Sequence, residues 1–570
     1  MQFVTSLFIF LVPTASLLIL QYLPQLLSML SSKSKGSPSP KRNVNLEPVS
    51  SFSSSIWCSE CNRGAKCCQI ENLYYFPKDK TFGFVLTENS IVHGISSGAE
   101  FGNLLANSVI NHTELFLPLV VFANNDPIIK TVKSSLKGHE IFLLRRFKPD
   151  NLMHALHDDI LPLFSRMETI CKGEFSSCSK NFVLSFTDDY SDFNLDWYNL
   201  LFKQSIFNLT ELREPVLISK AHVGLPGDTT VFQYGFGQPQ GPLNLGPNSV
   251  GIYQRFAEYV KKQLDLNEQE KIDGVQRIVL ISRKETRRIL NEEEVMNFIR
   301  NSFHNTMGLT QELIYKIMDL SVERTPEAVV STLTSADFIL GMHGAATFLA
   351  GVFSRPNSTI LELFPYGINP KVVSPLRALA ETPGFWFKYN SWENKDVRSS
   401  VPPADDAPPL HGGLGSLSEE ERKFAEKQVP VPAVQCCHNA TYLYRMFQDT
   451  TVGPSIQYSI LKSIEFLKRG TNLNWTHKFT VPGAVRDLVC LSEAESTKMF
   501  WKAPLNVKSV SQYNILKYEI SAKSSNSDDD LFEATETNVF SDFENHQFTE
   551  VWVRACNQHE CGKDTYVICT

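Results

Sequence analysis

The chain has 570 residues, too many for one hydrophobic core, so two to four domains are expected. Its hydrophobic content of 42% and charged content of 20% are those of an ordinary globular protein. A formal net charge of −7, with no basic tract interleaved with aromatics, argues against nucleic acid as a partner.

Residues 1–32 carry no charge, and Phe3 to Leu30 is apolar enough to span a bilayer, for which about 20 residues suffice. A cleaved signal peptide has an apolar core of only about 7–15 residues behind a basic start. An uncleaved signal-anchor over residues 1–30 is therefore expected. Lys33, Lys35, Lys41 and Arg42 follow it, a flank that the positive-inside tendency would hold in the cytoplasm. Twelve cysteines pull the other way, with Cys58, Cys61, Cys67 and Cys68 crowded together. They point to disulfides and an oxidising, lumenal compartment. Cys58 and Cys61 also have zinc-like spacing, but the second pair is contiguous and no histidine follows soon, so disulfides are preferred. Residues 31–57, rich in Ser, Pro and Lys, read as a flexible stem. Sequons occur at Asn111, Asn208, Asn357, Asn439 and Asn474. Asn357 directly precedes a buried strand pattern, which leaves Asn111, Asn208, Asn439 and Asn474 as the expected glycosylation sites.

From about Tyr74 to Gly251 strand-like and helical runs alternate, with strands over Leu115–Phe122, Glu140–Leu144, Phe182–Phe186 and Val216–Ser219. After Leu144 the chain reads as a turn into a helix, with Asp150 as the cap. Met153, Leu156 and Ile160 repeat at helical spacing and should face the core. His154 and Asp158 stand four apart on one helical face and can touch. A Gly/Pro loop from Phe232 to Pro242 closes this region. A second α/β unit runs from Ile252 to Asn369. It holds a strand over Arg277–Ser282, a helix over Asn291–Arg300, and a helix opening at Thr325-Pro326. Next come a strand over Phe338–Leu340, a Gly-rich turn through Gly341 and Gly344, a helix over Ala345–Phe353 and a strand over Thr359–Phe364. Val401 to Glu421 reads as a surface loop, Tyr442 to Leu467 as helical, and Val481 onward as the short alternating strands of a β-sandwich.

A turn at the carboxyl end of a strand, opening a helix whose N–H groups point outward, is a ready anion site. Arg283 and Arg287 can each pair with phosphate oxygens, the helix after His343 offers its positive dipole end, and Glu362 can accept hydrogen bonds from a ribose. A nucleotide diphosphate suits all three. Each feature also has an ordinary explanation: a structural histidine in a tight turn, Arg287 and Arg288 on a solvated helix face, Glu362 in a salt bridge. Their joint occurrence at α/β turns favours the site. No Walker loop, strand-linked G-x-G-x-x-G, H-E-x-x-H or G-x-S-x-G is present. The only Asp-x-Asp spacing lies in the polar run Asp528–Asp530. Positive side chains would then neutralise the diphosphate, with no metal and no cofactor beyond the nucleotide-sugar substrate. His154 with Asp158 has the form of a general base and its orienting acid; a local His–Asp pair that only steadies the helix start is the competing explanation.

In motif order the chain carries Asp150-Asn-Leu-Met-His-Ala-Leu-His-Asp-Asp-Ile-Leu-Pro-Leu-Phe164, Ser282-Arg-x-x-x-Arg287, Gly341-Met-His-Gly-Ala345 and Glu362-Leu-Phe-Pro-Tyr-Gly-Ile-Asn-Pro370. With the Phe232–Pro242 loop, Cys436-Cys437, Tyr444-Arg-Met-Phe-Gln-Asp-Thr450 and a terminal fibronectin-like stretch, the chain resembles glycosyltransferase family 61 over most of its length past the stem. The resemblance implies an α/β fold: a GT-B-like pair of Rossmann-like lobes over 58–251 and 252–480, followed by an all-β fibronectin type III sandwich over 481–570 and preceded by the membrane anchor. It implies inverting transfer of N-acetylglucosamine from UDP-N-acetylglucosamine to O4 of protein O-linked mannose. The acceptor would be of the α-dystroglycan type and the enzyme a single-pass type II protein of the endoplasmic reticulum membrane, with a homodimer left open. The donor would meet Ser282, Arg283, Arg287, Met342, His343, Gly344, Ala345 and Glu362. The acceptor would meet Arg146, Asn151, His157 and Tyr234. His154 is taken as the base and Asp158 as its partner, although Asp158 itself as the base fits the spacing equally well. The chain departs from the pattern in its anchor, stem and early cysteine cluster, and in Thr549, which stands where such sandwiches carry a corner tyrosine. Two rival readings are a family transferase with another donor or acceptor, and a non-catalytic surface receptor built on the β-sandwich. The intact Ser-Arg and Gly-Met-His-Gly turns weigh against the second.

Overall fold

The first sheet begins with hairpins. Ser55–Glu60, Lys66–Phe76 and Thr81–Leu86 pair antiparallel in succession, and disulfides Cys58–Cys68 and Cys61–Cys67 rivet the first hairpin. The structure is a computed structural model describing residues 46–48 and most of 53–569. The longer internal stretches outside the described residues are 62–65, 96–118, 234–240, 244–248, 267–274, 308–311, 432–438, 469–484, 504–516, 525–530 and 557–560. The expected anchor, most of the expected stem, Asn111, Tyr234, Cys436-Cys437 and Asn474 lie outside the described residues. No helix among the described residues is long and apolar enough to cross a membrane.

Across the first sheet the order is Phe207–Asn208, Phe182–Phe186, Glu140–Leu144, Val216–Val223, Lys66–Phe76, Ser55–Glu60, Val92–His93. The first four strands run parallel and the hairpin strands join antiparallel, so the alternation of strand and helix expected from Tyr74 describes only part of this unit. Leu46–Pro48 pairs with Ser134–Leu136, which places the start of the sheet inside the stretch read as stem.

The second sheet is wholly parallel. Its order is Glu312–Asp319, Val275–Ser282, Phe338–Met342, Thr359–Phe364, Lys388–Glu393. Numbered by sequence this is 2-1-3-4-5, a doubly wound arrangement in which ligands bind beyond the carboxyl ends of strands one and three. The apolar runs of these strands alternate between two faces. Val279, Ile281 and Ile339 pack with helices Pro326–Ser335, Ala345–Phe353 and Pro375–Glu381, while Ile278, Leu280 and Leu340 pack with helices Glu292–Met307 and Ile456–Lys468. The core on the first face continues into the first unit through helices Leu161–Cys171 and Ser249–Gln263.

Two antiparallel sheets finish the chain. One holds Arg486–Ser492, Ser496–Lys502 and Phe540–Glu544; the other holds Leu531–Glu536, Lys517–Ser524, Phe548–Cys556 and Thr565–Ile568. They share a core of Met499, Trp501, Tyr518, Ile520, Val551 and Val553, stapled by Cys490–Cys569.

Several local expectations change. Gly341 lies inside its strand, where a Cβ would stand 2.9 Å from Ile281. Arg287 and Arg288 are not on a helix, which starts only at Glu292. The loop expected from Val401 gives way to a helix at Glu419–Lys427. The early cysteines are disulfides, as preferred, and no cysteine is free among the described residues.

Candidate functional site

Loops after strands one and three of the parallel sheet meet at the switch point. Strand Val275–Ser282 delivers Arg283 and Arg287; strand Phe338–Met342 delivers His343 and Gly344. Arg283 Nε donates to the Thr286 carbonyl at 2.9 Å, and Arg287 Nη1 donates to the His343 carbonyl at 2.9 Å. Both guanidinium groups crowd Gly344: a Cβ there would lie 3.0 Å from one and 3.2 Å from the other. Any larger residue there would push on both guanidinium groups. Burial lowers the pKa of both arginines, and the positive charge of Arg283 lowers that of Arg287 further. Among the described residues no carboxylate forms an ion pair with either, and Arg287 Nε is buried without a partner. Two cations beside the N-terminus of helix Ala345–Phe353 make a strongly anion-seeking turn. An open pocket of about 740 Å³ borders the same loop, lined among others by Arg283, Lys284, Arg288 and Glu292–Glu294.

His343 is held from behind. Its Nδ1 donates to Glu362 Oε1 at 2.8 Å, and its ring stacks on Phe364 with centroids 4.9 Å apart. Glu362 is 1% exposed. Its two oxygens accept from His343, from Ser374 at 2.5 Å and from Tyr389 at 2.9 Å; the Thr347 hydroxyl, which donates to the Gly344 carbonyl at 2.8 Å, lies 3.2 Å from Oε1. A carboxylate has about four lone-pair sites, and protein donors occupy most of those of Glu362, which stands buried behind His343. Thr347, Ser374 and Tyr389 escape the sequence reading; the one local signal present is Ser374-Pro375, a cap followed by Pro at the first helical position. Ser282 is likewise engaged, donating to Glu292 at 2.6 Å, and Met342 packs its side chain into the core. Ala345 offers its backbone at the first turn of the helix.

On the other side, Asn151 rather than Asp150 caps the histidine helix, its side chain accepting from Met153 N. Asp150 loses this role because the extended backbone that a cap requires falls one residue later. Residues Ala155–Ile160 form a π-helical turn, a feature frequent at functional sites. Asp158, with no exposed side-chain surface, joins two histidines: His154 Nδ1 at 2.7 Å and His157 Nδ1 at 2.5 Å. Val231 N donates to His157 Nε2 at 3.0 Å, which assigns the His157 proton to Nδ1. His157 is therefore a buried strut, not an acceptor contact. His154 keeps 9% of its side chain exposed. Arg146 is also removed from the acceptor set, because Asp188, two backbone carbonyls and the Phe186 ring enclose it. Asn151 is exposed at the helix start.

The two clusters sit on packed elements. The His157 ring meets Phe348 of helix Ala345–Phe353 edge-on, centroids 5.5 Å apart. Phe348, unremarked in the sequence, thus joins the histidine helix to the helix that opens at Gly344. Of the sequons, Asn208 and Asn439 serve as caps of their own helical turns.

The sequence pattern described as Glycosyltransferase 61 matches residues 238–361. Three proteins named protein O-linked-mannose beta-1,4-N-acetylglucosaminyltransferase 2 are similar over much greater lengths. The Xenopus laevis protein is 30% identical over 81% of this chain and 79% of its own length. Those of Mus musculus and Homo sapiens are each 31% identical over 72% of this chain and 70% of their own lengths.

Proposed function

The chain belongs to glycosyltransferase family 61, and from that premise we propose that it moves N-acetylglucosamine from UDP-N-acetylglucosamine to O4 of protein O-linked mannose, on an acceptor of the α-dystroglycan type. The observation that carries the reading is the pair of arginines at Gly344 with no carboxylate of their own. The donor diphosphate supplies the missing negative charge, and the helix N-terminus supplies N–H groups for its oxygens. As the sugar–phosphate bond breaks, negative charge grows on the leaving UDP, and fixed cations there stabilise the transition state more than the ground state.

The acceptor hydroxyl must lose a proton as it attacks. His154 is the better-placed base. Asp158 is enclosed and has a histidine on each oxygen, whereas the His154 ring reaches solvent. Hydrogen bonding of His154 Nδ1 to Asp158 assigns proton uptake to Nε2 and stabilises the imidazolium that forms. His157, itself anchored by Val231, fixes Asp158. Asn151 stands at the exposed mouth of this helix for the acceptor. Attack opposite the leaving group gives inversion.

We read the two α/β sheets as the lobes of a GT-B pair and the terminal two-sheet unit as a fibronectin type III domain that helps hold the acceptor polypeptide. The five disulfides among the described residues support a lumenal body, and residues 1–30 read as its signal-anchor in the endoplasmic reticulum. A UDP-release assay across several UDP-sugars, with an O-mannosyl peptide as acceptor, tests the reading. Release should be fastest with UDP-N-acetylglucosamine and should depend on the mannose. A preference for another UDP-sugar would reassign the donor, and no release with any would favour a non-catalytic receptor.

A further inference from the structure

The helical stretch expected over Tyr442–Leu467 is broken in two, Ala440–Met446 and Ile456–Lys468. Between them the chain is extended and runs along the arginine loop. Thr450 N donates to Arg288 O and Leu290 N donates to Thr450 O, each at 2.9 Å. Asn291 closes one end: its amide donates to Val452 O at 2.9 Å and its Oδ1 accepts from Val452 N at 2.8 Å. Asp449 closes the other end. Its Oδ1 accepts from Arg288 N at 2.7 Å, and its Oδ2 accepts from Arg288 Nε at 2.8 Å and lies 2.6 Å from Nη2. Phe447 lies 4.9 Å from the Arg287 guanidinium carbon, with His411 stacked on it at 5.5 Å.

The loop has reason to need such support. Arg287 sits at φ 55°, in the left-handed region that non-glycine residues avoid. Its guanidinium stands beside a second cation, and the two repel. Both effects favour relaxation of the loop away from Gly344. The extended segment opposes this with six backbone and side-chain hydrogen bonds, and Asp449 separates two adjacent arginines: Arg288 is bound to protein, Arg287 is turned inward.

We propose that Phe447–Val452 is a positioning strap for donor binding. Asp449 and Phe447, without touching the donor, hold Arg287 where its guanidinium meets the diphosphate. The proposal rests on the reading of the Gly344 turn as the diphosphate site. Its test is a double-mutant cycle on the full-length protein, with UDP affinity measured by calorimetry for Arg287→Ala, Asp449→Ala and the pair. Asp449→Ala should weaken UDP about tenfold alone and less than about twofold when Arg287 is already alanine, with donor KM rising more than kcat falls. Equal losses in both backgrounds overturn the proposal, since Asp449 would then act through the fold at large, and so does an unchanged affinity in Asp449→Ala. If Arg283→Ala and Arg287→Ala both bind UDP like the wild type, the diphosphate reading itself falls, and the proposal with it. Should Asp449→Ala fail to fold, Phe447→Leu decides: it keeps apolar volume but lacks the ring face, and should lose UDP affinity severalfold while Phe447→Tyr retains it. Wild-type binding by Phe447→Leu overturns the strap.

Discussion

Two arginines follow parallel strands in this chain, one in each α/β sheet, and their surroundings are opposite. Arg146 comes after Glu140–Leu144. The turn after the neighbouring strand, Phe182–Phe186, supplies Asp188, which binds it at 2.7 Å. Arg287 comes after Val275–Ser282. The turn after its neighbouring strand, Phe338–Met342, supplies only the His343 carbonyl and Gly344. Both guanidinium groups lie over a phenylalanine ring. What separates a structural arginine from a ligand-seeking one is the acid that the next strand does or does not bring. The same distinction runs through the histidine helix, where Asp158 and His157 are fully engaged and His154 keeps an accessible edge.

The largest effect expected from this contrast is on turnover. His154→Ala should lower kcat by about 10²–10⁴-fold with UDP affinity retained, and Asp158→Asn should lower it less. A dead Asp158→Asn beside a His154→Ala variant within a few-fold of wild type would reverse the roles. Next comes Arg146→Ala, which strands Asp188 as an unpaired buried charge; both side chains are essentially unexposed. The cost should be about 3–5 kcal/mol of folding stability by denaturant titration, with normal UDP binding in the folded fraction. A stable variant with a raised acceptor KM would instead return Arg146 to the acceptor site.

Residue pattern alone made the second unit legible, because strands with apolar side chains on both faces, and glycines at a strand end, leave few alternatives. The elements expected from Arg277 to Phe364 fall close to those seen, but the edge strand Glu312–Asp319 was not anticipated and the helix expected over Asn291–Arg300 runs on to Met307. The Arg283, Arg287, His343 and Gly344 turn was also legible, because anion chemistry is local to it. What escaped was whatever depends on distant partners. Glu362 looked like a ribose acceptor until Ser374 and Tyr389 were seen to fill its second oxygen. Arg146 and His157 looked available until Asp188 and Val231 were placed beside them. The strap at Phe447–Val452 could not be read from helical periodicity, since its partners lie about 160 residues earlier, as the 161-residue separation of Arg288 and Asp449 shows.

Arg283 sharpens the comparison on the donor side. Arg283→Ala removes a buried charge that has no ion-pair partner among the described residues and only the field of Glu285 in its favour, so stability should hold or rise while UDP binding weakens. The loss of a charge-assisted contact is worth about 1.5–3 kcal/mol, readable by calorimetry. Unchanged UDP affinity in a folded variant would move the nucleotide elsewhere.

The smallest effect concerns the acid beside Asp158. Asp159 is fully buried, accepts one hydrogen bond from Tyr198 at 2.6 Å, and has its other oxygen unpartnered among the described residues. Burial pushes its pKa well above the usual carboxyl value, and the nearby Asp158 and Asp188 charges add to this against the Tyr198 bond and Arg146. A raised pKa means that the folded chain keeps a proton that the unfolded chain releases. This contribution to stability is therefore complete below the ordinary value of 3.8 and is lost as pH rises through the folded value. Asn at this position keeps the shape and cannot ionise. Asp159→Asn should match the wild type in acid and gain on it as pH rises, by about 2 °C in Tm. A difference independent of pH would mean that Asp159 is already ionised in the fold, with Arg146 near enough to serve Asp188 and Asp159 at once. The first of the two arginines compared above would then carry two buried acids, and Arg146→Ala would destabilise more at neutral pH than in acid.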